Sequence, residues 1–341
     1  MDYKVNILAP DEALPEGYVL HSIYESQLEE LAEVRFPAAS PSELPDIIKK
    51  LSLQNPATRV VYSWKSTVLE TLPEDTFMEL KTNRNQLLIK AEEQHQLYAS
   101  AASIAGMSVG SSILYGLVGT GFSKNLTIAD DDVFSTSNLN RVPATVFDVG
   151  QSKAETATKR SLEMNPFLDI QQLGRIDDSN LGLFVKKGET SIVFEEIDDF
   201  RMKVRIREAA KEARVPLVML TNLGDSVMID IERYDLDHST ELFNGNVPQD
   251  LIDKIKATDK VDLELMRELS VRLVDRQMIP ERAMESLAQM SKTLVGRPQL
   301  YSTVALDGGI APFLMKHILL ESDTRIESGR YKLALDSAVS S

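Results

Sequence analysis

The chain has 341 residues, 43% of them hydrophobic, which is enough for a sizeable core and more than one small domain needs. Its 52 acidic and 37 basic residues leave a net charge of −15, which argues against a nucleic-acid partner because phosphate contacts need clustered Lys and Arg. It has no cysteine, so disulfides, thiolate zinc sites, thioester intermediates and cysteine nucleophiles are excluded.

No apolar run approaches the roughly twenty residues that span a bilayer. Met1-Asp2-Tyr3-Lys4-Val5 lacks the basic-then-apolar pattern of a secretory signal. A soluble, cytoplasmic protein with no membrane partner is expected. His21, His95, His238 and His317 show no i, i+4 pairing and are expected to be structural or exposed.

Residues 1–80 are expected to form an α/β appendage. It contains an apolar stretch at Tyr18-Val19-Leu20, helices from Ser26 to Val34 and Ser42 to Leu51, and a strand at Arg59 to Trp64, punctuated by Pro37, Pro41, Pro45 and Pro56. Residues 81–245 alternate strand and helix, the pattern of a Rossmann-like, doubly wound and mostly parallel sheet. The expected order is strand Ala101–Ala105, helix Ser111–Val118, strand Leu126–Ala129, helix Gly150–Met164, strand Asp169–Gln172, strand Ser191–Phe194, helix Phe200–Arg214 and strand Val215–Leu220. Val227 to Tyr234 alternates apolar and polar residues, which predicts a half-exposed antiparallel strand. Residues 246–341 complete the core with a charged helical stretch from Pro248 to Leu294, carrying Lys254, Lys256, Lys260, Arg267, Arg272 and Arg276, and an apolar helix near Val304 to Leu320.

The first strand of the core ends in Gly106-Met107-Ser108-Val109-Gly110-Ser111-Ser112, followed directly by a helix. A helix N-terminus carries unpaired N–H groups and about half a positive charge, which attract phosphate. The loop departs from GxGxxG: Ser108 stands at the second glycine position, and the third is Gly110 or Ser111. A tight turn without a ligand is the plain alternative. The second strand ends in Asp130-Asp131-Asp132, where an acidic residue accepts hydrogen bonds from ribose hydroxyls. Asp130 suits that role; otherwise the three carboxylates cap the next turn, and they repel one another unless a cation offsets them. Arg141 and Lys153 add positive charge within reach of a triphosphate.

Ala129-Asp130-Asp131-Asp132-Val133, Ser137-Asn138-Leu139-Asn140-Arg141, Gly150-Gln151-Ser152-Lys153 and Asn165-Pro166 follow one another in the order of the ThiF/MoeB/ubiquitin-activating superfamily signature, which the sequence resembles over roughly residues 81–320. The resemblance is closest to a bacterial subgroup with a Ser-Val-Gly phosphate loop and an extra N-terminal segment. It implies ATP-dependent adenylation of a carboxylate, probed through specific residues: Asp130 on the ribose, Asn138 and Arg141 on the phosphates, Lys153 on the α-phosphate, and Gly106, Ser108, Gly110, Asp132 and Asn140 completing the nucleotide contacts. Within Thr82-Asn83-Arg84-Asn85-Gln86, Arg84 is implied to reach the triphosphate of a partner subunit, hence a homodimer. In Val193 to Phe200, Asp198 is implied to hold magnesium, and Asp199 replaces the usual asparagine.

Many relatives bind zinc through two CxxC pairs and pass the acyl group to a cysteine; without cysteines, neither is expected here. The adenylate is then expected to go to a partner protein or to an amine, amide or carbon nucleophile, as in maturation of ribosomally made peptide antibiotics, with a peptide or small protein supplying the carboxylate. The appendage would recognise a leader peptide or pack a dimer, and Arg297-Pro298-Gln299 would lie near the substrate carboxylate. Two other readings stay open: an NAD-binding module of the same fold, and a catalytically silent scaffold suggested by the altered glycine loop.

Overall fold

The computed structural model describes residues 5–9, 11–258, 265, 268–269, 272–274, 279–289, 292–320 and 325–335. The readings made on Met1 to Lys4 and on Lys260, Arg267 and Arg276 lie outside them. The N-terminal segment forms β1 (Asn6–Leu8), β2 (Val19–Ser22), α1 (Tyr24–Arg35), α2 (Leu44–Gln54), β3 (Thr58–Tyr62), β4 (Thr67–Thr71) and α3 (Glu74–Lys81). Its four strands make one sheet in the order β1-β3-β4-β2, with β1 and β2 at the edges. Leu28, Leu31, Leu51, Leu72 and Leu80 fill a core of its own. Val60 and Tyr62 instead join the main core, and the Tyr62 hydroxyl donates to the Leu162 carbonyl at 2.8 Å.

The main body follows with α4 (Ala91–Ala99), β5 (Ala101–Ala105), α5 (Gly110–Thr120), β6 (Asn125–Ala129), α6 (Lys153–Met164), β7 (Asp169–Leu173), α7 (Leu181–Phe184), β8 (Ile192–Glu195), α8 (Phe200–Ala213), β9 (Leu217–Leu223), β10 (Ser226–Glu232), α9 (Gln249–Ala257), α10 (Glu281–Gln289), α11 (Tyr301–Leu319) and β11 (Gly329–Ala334). Seven strands form a sheet in the order β11-β10-β9-β8-β5-β6-β7. The five from β9 to β7 are parallel, while β10 and β11 add antiparallel at one end. One face packs on α5, α6 and α11 through Ile113, Leu117, Ala157, Leu314 and Met315; the other packs on α8 through Met202, Ile206 and Ala210. Local chemistry sets the helix ends. Gly121 stops α5 in the left-handed region (φ 79), and the Asp199 carboxylate caps α8 by accepting the N–H groups of Arg201 and Met202.

Two features depart from the sequence expectation. The predicted half-exposed strand is β10, and all seven of its residues are buried. The apolar alternation is real, but the polar side is filled by ion pairs: Asp230 meets Arg330 at 2.7 Å, and Glu232 meets Arg207 at 2.9 Å. Secondly, α5 and α11 touch backbone to backbone. A Cβ on Gly116 would lie 1.9 Å from the Gly308 carbonyl oxygen, so only glycine fits. Among the described residues, no helix is long and apolar enough to cross a membrane.

Candidate nucleotide site

From β5 the chain moves to β6 on one side, and β8 returns on the other. The C-terminal ends of these strands therefore open a crevice at the point where strand order reverses, which is where ligands bind in open α/β sheets. A cavity of about 340 Å³ lies there, bordered by Gly106, Ser108, Asp130, Asp131, Asp132, Arg175, Glu196, Asp198 and Asp199. Two larger cavities, of about 870 and 570 Å³, lie elsewhere and include none of these residues.

The floor is the loop after β5. Gly106 has φ 87, and a Cβ there would lie 2.6 Å from the Glu196 carbonyl oxygen, so both conformation and space require glycine. Gly110 opens α5 against Ile104, whose Cγ2 would lie 2.8 Å from an added Cβ. The first turn of α5 then brings N–H groups that lack helical partners to the loop.

The β6 end supplies the acids. The two Asp130 oxygens accept the N–H groups of Met107 (2.6 Å) and Asp132 (2.7 Å), so this side chain stitches the β6 turn to the glycine loop. Burial raises its pKa, against the pull of those two N–H groups and of Lys153. Each oxygen keeps a second lone pair for a ligand. Lys153, the first residue of α6, folds back onto this edge. Its ammonium donates to Asp132 at 2.7 Å and to the Ser108 hydroxyl at 3.2 Å, with 6% of its side chain exposed. Its charge pairs with Asp132 and opposes the raised pKa of Asp130 in the same turn.

The crossover between β6 and α6 brings Arg141. Its guanidinium donates to the Ser137 carbonyl (2.8 Å) and the Asn140 side chain (3.0 Å), while its Nε is buried without a partner. Burial lowers its pKa and the charge of Asp198 opposes that shift, which sets the two residues near one another. Asn138 is buried and shapes the turn: its side-chain oxygen accepts the Ser135 N–H, and its carbonyl accepts the N–H of Arg141. Asn140 donates to the Gln299 carbonyl at 2.9 Å and so ties the crossover to the segment before α11. The described lining of the crevice does not include Arg84, which is exposed on a 3-10 turn over Asn83–Asn85. Beside it Leu87 is 99% and Leu88 80% exposed, and Leu87 has φ 69.

A ThiF family profile matches residues 82–257, about half of the chain, from just before Arg84 to the end of α9. The chain belongs to the ThiF family. An uncharacterized protein of Mycobacterium tuberculosis (strain CDC 1551 / Oshkosh) is 31% identical over 315 residues, 91% of this chain and 41% of that protein. The probable molybdopterin-synthase adenylyltransferase of Porphyra purpurea is 32% identical over 127 residues, 36% of this chain and 32% of that protein. The chain thus spans about two fifths or less of the curated relatives it matches. The crystal structure of PaaA shares the fold, with a TM-score of 0.53, 18% identity, and coverage of 76% of this chain and 77% of PaaA.

In this ThiF-family chain three crevice residues escaped the sequence reading. Arg175, just beyond β7, reaches the cavity and lies 3.5 Å from Asp199; a charged residue at the tip of a third parallel strand was the available signal. Asp199, noted only as an asparagine replacement, is the cap of α8. Glu196 follows Glu195, yet the two face opposite sides of the sheet. Glu195 is buried between Lys203 (2.8 Å) and Arg207 (2.7 Å), which outweigh the effect of burial and lower its pKa. For Glu196, burial and the charge of Asp307 raise it.

Proposed function

We propose that this chain adenylates a carboxylate of a peptide or small protein with ATP and magnesium, releasing pyrophosphate. The observation that carries the reading is the convergence of the Gly106–Gly110 loop, Lys153 and Asp198 on one crevice at the strand-order reversal. Transfer of a nucleotidyl group depends mainly on positioning and on neutralising charge at the phosphate oxygens. Lys153, steadied by Asp132 and Ser108, is the cation for the α-phosphate. Arg141 neutralises the outer phosphates, and Asp130 accepts from the ribose hydroxyls with its remaining lone pairs.

Among the described residues, no group of three or more His, Asp or Glu forms a metal cage. The exposed carboxylate of Asp198, which has no hydrogen-bond partner among the described residues, fits magnesium, an ion that keeps several waters and needs one or two carboxylates beside the phosphates. Asp198 would hold that ion, which supplies charge neutralisation at the phosphates.

With no cysteine, the acyl-adenylate goes to an external or intramolecular nucleophile, as peptide antibiotic maturation requires. The exposed edge strand β2 offers a leader peptide an unpaired backbone to extend. A cytoplasmic homodimer in which Arg84 crosses to the partner's crevice completes the reading. The test is exchange of labelled pyrophosphate into ATP in the presence of magnesium and candidate peptides. Exchange that needs one peptide carboxylate and disappears in Asp198→Ala is expected. No exchange with any peptide, together with no ATP binding, rejects the proposal.

A further inference from the structure

The crevice has one cation to which the reaction gives no task. Arg175 stands two residues beyond β7, and its side chain is 71% exposed. Its Nη2 donates to the Asp199 carboxylate at 3.5 Å, and among the described residues the guanidinium has no other partner. Asp199 lies beyond β8, so this contact reaches from the loop after one strand to the loop after another, across the tips of β5 and β6 that stand between them in the sheet. A long, exposed ion pair of this kind contributes little to stability, and it leaves the flat face of the guanidinium free for a ligand.

Strand order decides which part of a nucleotide comes to Arg175. The phosphate loop follows β5, Asp130 follows β6, and β7 is the next strand outward. With the phosphates at the first tip and the ribose at the second, the base, on the far side of the ribose, arrives at the third. The same cavity is bordered there by Ile176 beside Arg175, and by Ala129, Ile197 and Met202. An uncharged aromatic ring suits those apolar side chains on one face and a guanidinium on the other. Guanidinium is planar and weakly hydrated, and it stacks on π-faces.

We propose that Arg175 stacks on the base of the bound nucleotide, steered into place by Asp199. Its role rests on the ATP-binding part of the adenylation reading. Arg175 touches the base and not the reacting phosphate.

Equilibrium dialysis of the full chain with magnesium and labelled ATP, displaced by unlabelled ATP or by tripolyphosphate, separates base from phosphate contacts. Arg175→Ala is expected to weaken ATP binding roughly 5- to 10-fold and to leave tripolyphosphate binding unchanged, which also shows that the variant is folded. Arg175→Lys keeps the charge without the plane and is expected to restore only part of the loss. Asp199→Asn keeps an oxygen that caps α8 and is expected to weaken ATP roughly two- to threefold. Equal losses for ATP and tripolyphosphate would make Arg175 a phosphate cation, and no loss for either would leave it a surface ion pair. Each overturns the proposal, as does full restoration by lysine. A wild-type chain that binds neither ligand rejects the nucleotide reading and the proposal with it. Failed pyrophosphate exchange beside a selective loss of ATP binding removes adenylation and leaves the base contact standing.

Discussion

Asp307 and Glu195 are both buried, yet burial wins at one and loses at the other. Lys203 and Arg207 flank Glu195 and lower its pKa, whereas Asp307 has only a neutral amide and is pushed up to about 7. A folded-state carboxyl raised in this way keeps a proton that the unfolded chain releases near pH 4, so Asp307 makes stability fall as pH rises between about 4 and 7. Asp307→Asn removes that loss. The variant is expected to exceed the wild type at pH 8 by a few kcal/mol, at about 1.4 kcal/mol per unit, with the gap narrowing to about 1 kcal/mol at pH 4.5. Urea unfolding at both pH values checks this, and a gap independent of pH would show that the carboxyl is not the source. Such residues were not legible in the sequence, because Asp307 and Glu196 are far apart along the chain and meet only through the position of α11 on the sheet. Asp130 and Lys153 were legible because one sits at the tip of a strand and the other in the first turn of a helix, where spacing along the chain fixes position, whereas Asp198 was reached only through the family resemblance of its segment.

At the scale of elements, β5, β6, β7, β8 and the helices α5, α6 and α8 follow from apolar runs bounded by Gly, Asn and Asp. The short strands β4 and β11 and the helices α3 and α4 carry weaker periodicity and went unanticipated. The strand β10 was misjudged for a physical reason: Asp230 and Glu232 mimic a solvent face, and only partners from β11 and α8 make them fit the interior. The contact between α5 and α11 depends equally on tertiary structure. Gly116→Ala is expected to force those helices apart, costing about 1–3 kcal/mol by overpacking, and to weaken ATP binding by moving the start of α5. Gly119→Ala, in the same helix, meets nothing nearer than Met164 Cε at 3.8 Å and is expected to be neutral or to stabilise by about 0.5–1 kcal/mol. Denaturation midpoints and ATP titration of the two variants separate these outcomes; equal behaviour would remove the claim that the helix contact supports the loop.

Across the whole molecule, Arg84 stands on the surface beside exposed Leu87 and Leu88 rather than in the crevice of its own chain. If it serves a partner's crevice, inactive Arg84→Ala and Asp198→Ala chains should complement when mixed, recovering about a quarter of wild-type activity by random pairing in a two-fold dimer. Zero recovery, with mixed dimers demonstrated by differential tags, rejects the shared site. The α5–α11 contact also bears on synthesis. α5 ends at Thr120 and its partner begins at Tyr301, so a ribosome working at roughly 5–20 residues per second delivers α11 on the order of ten seconds or more after α5. Through that interval the glycines and apolar side chains that α11 will cover are open to other chains and to chaperones. The loop that begins the nucleotide site is translated early, but the support behind it arrives late.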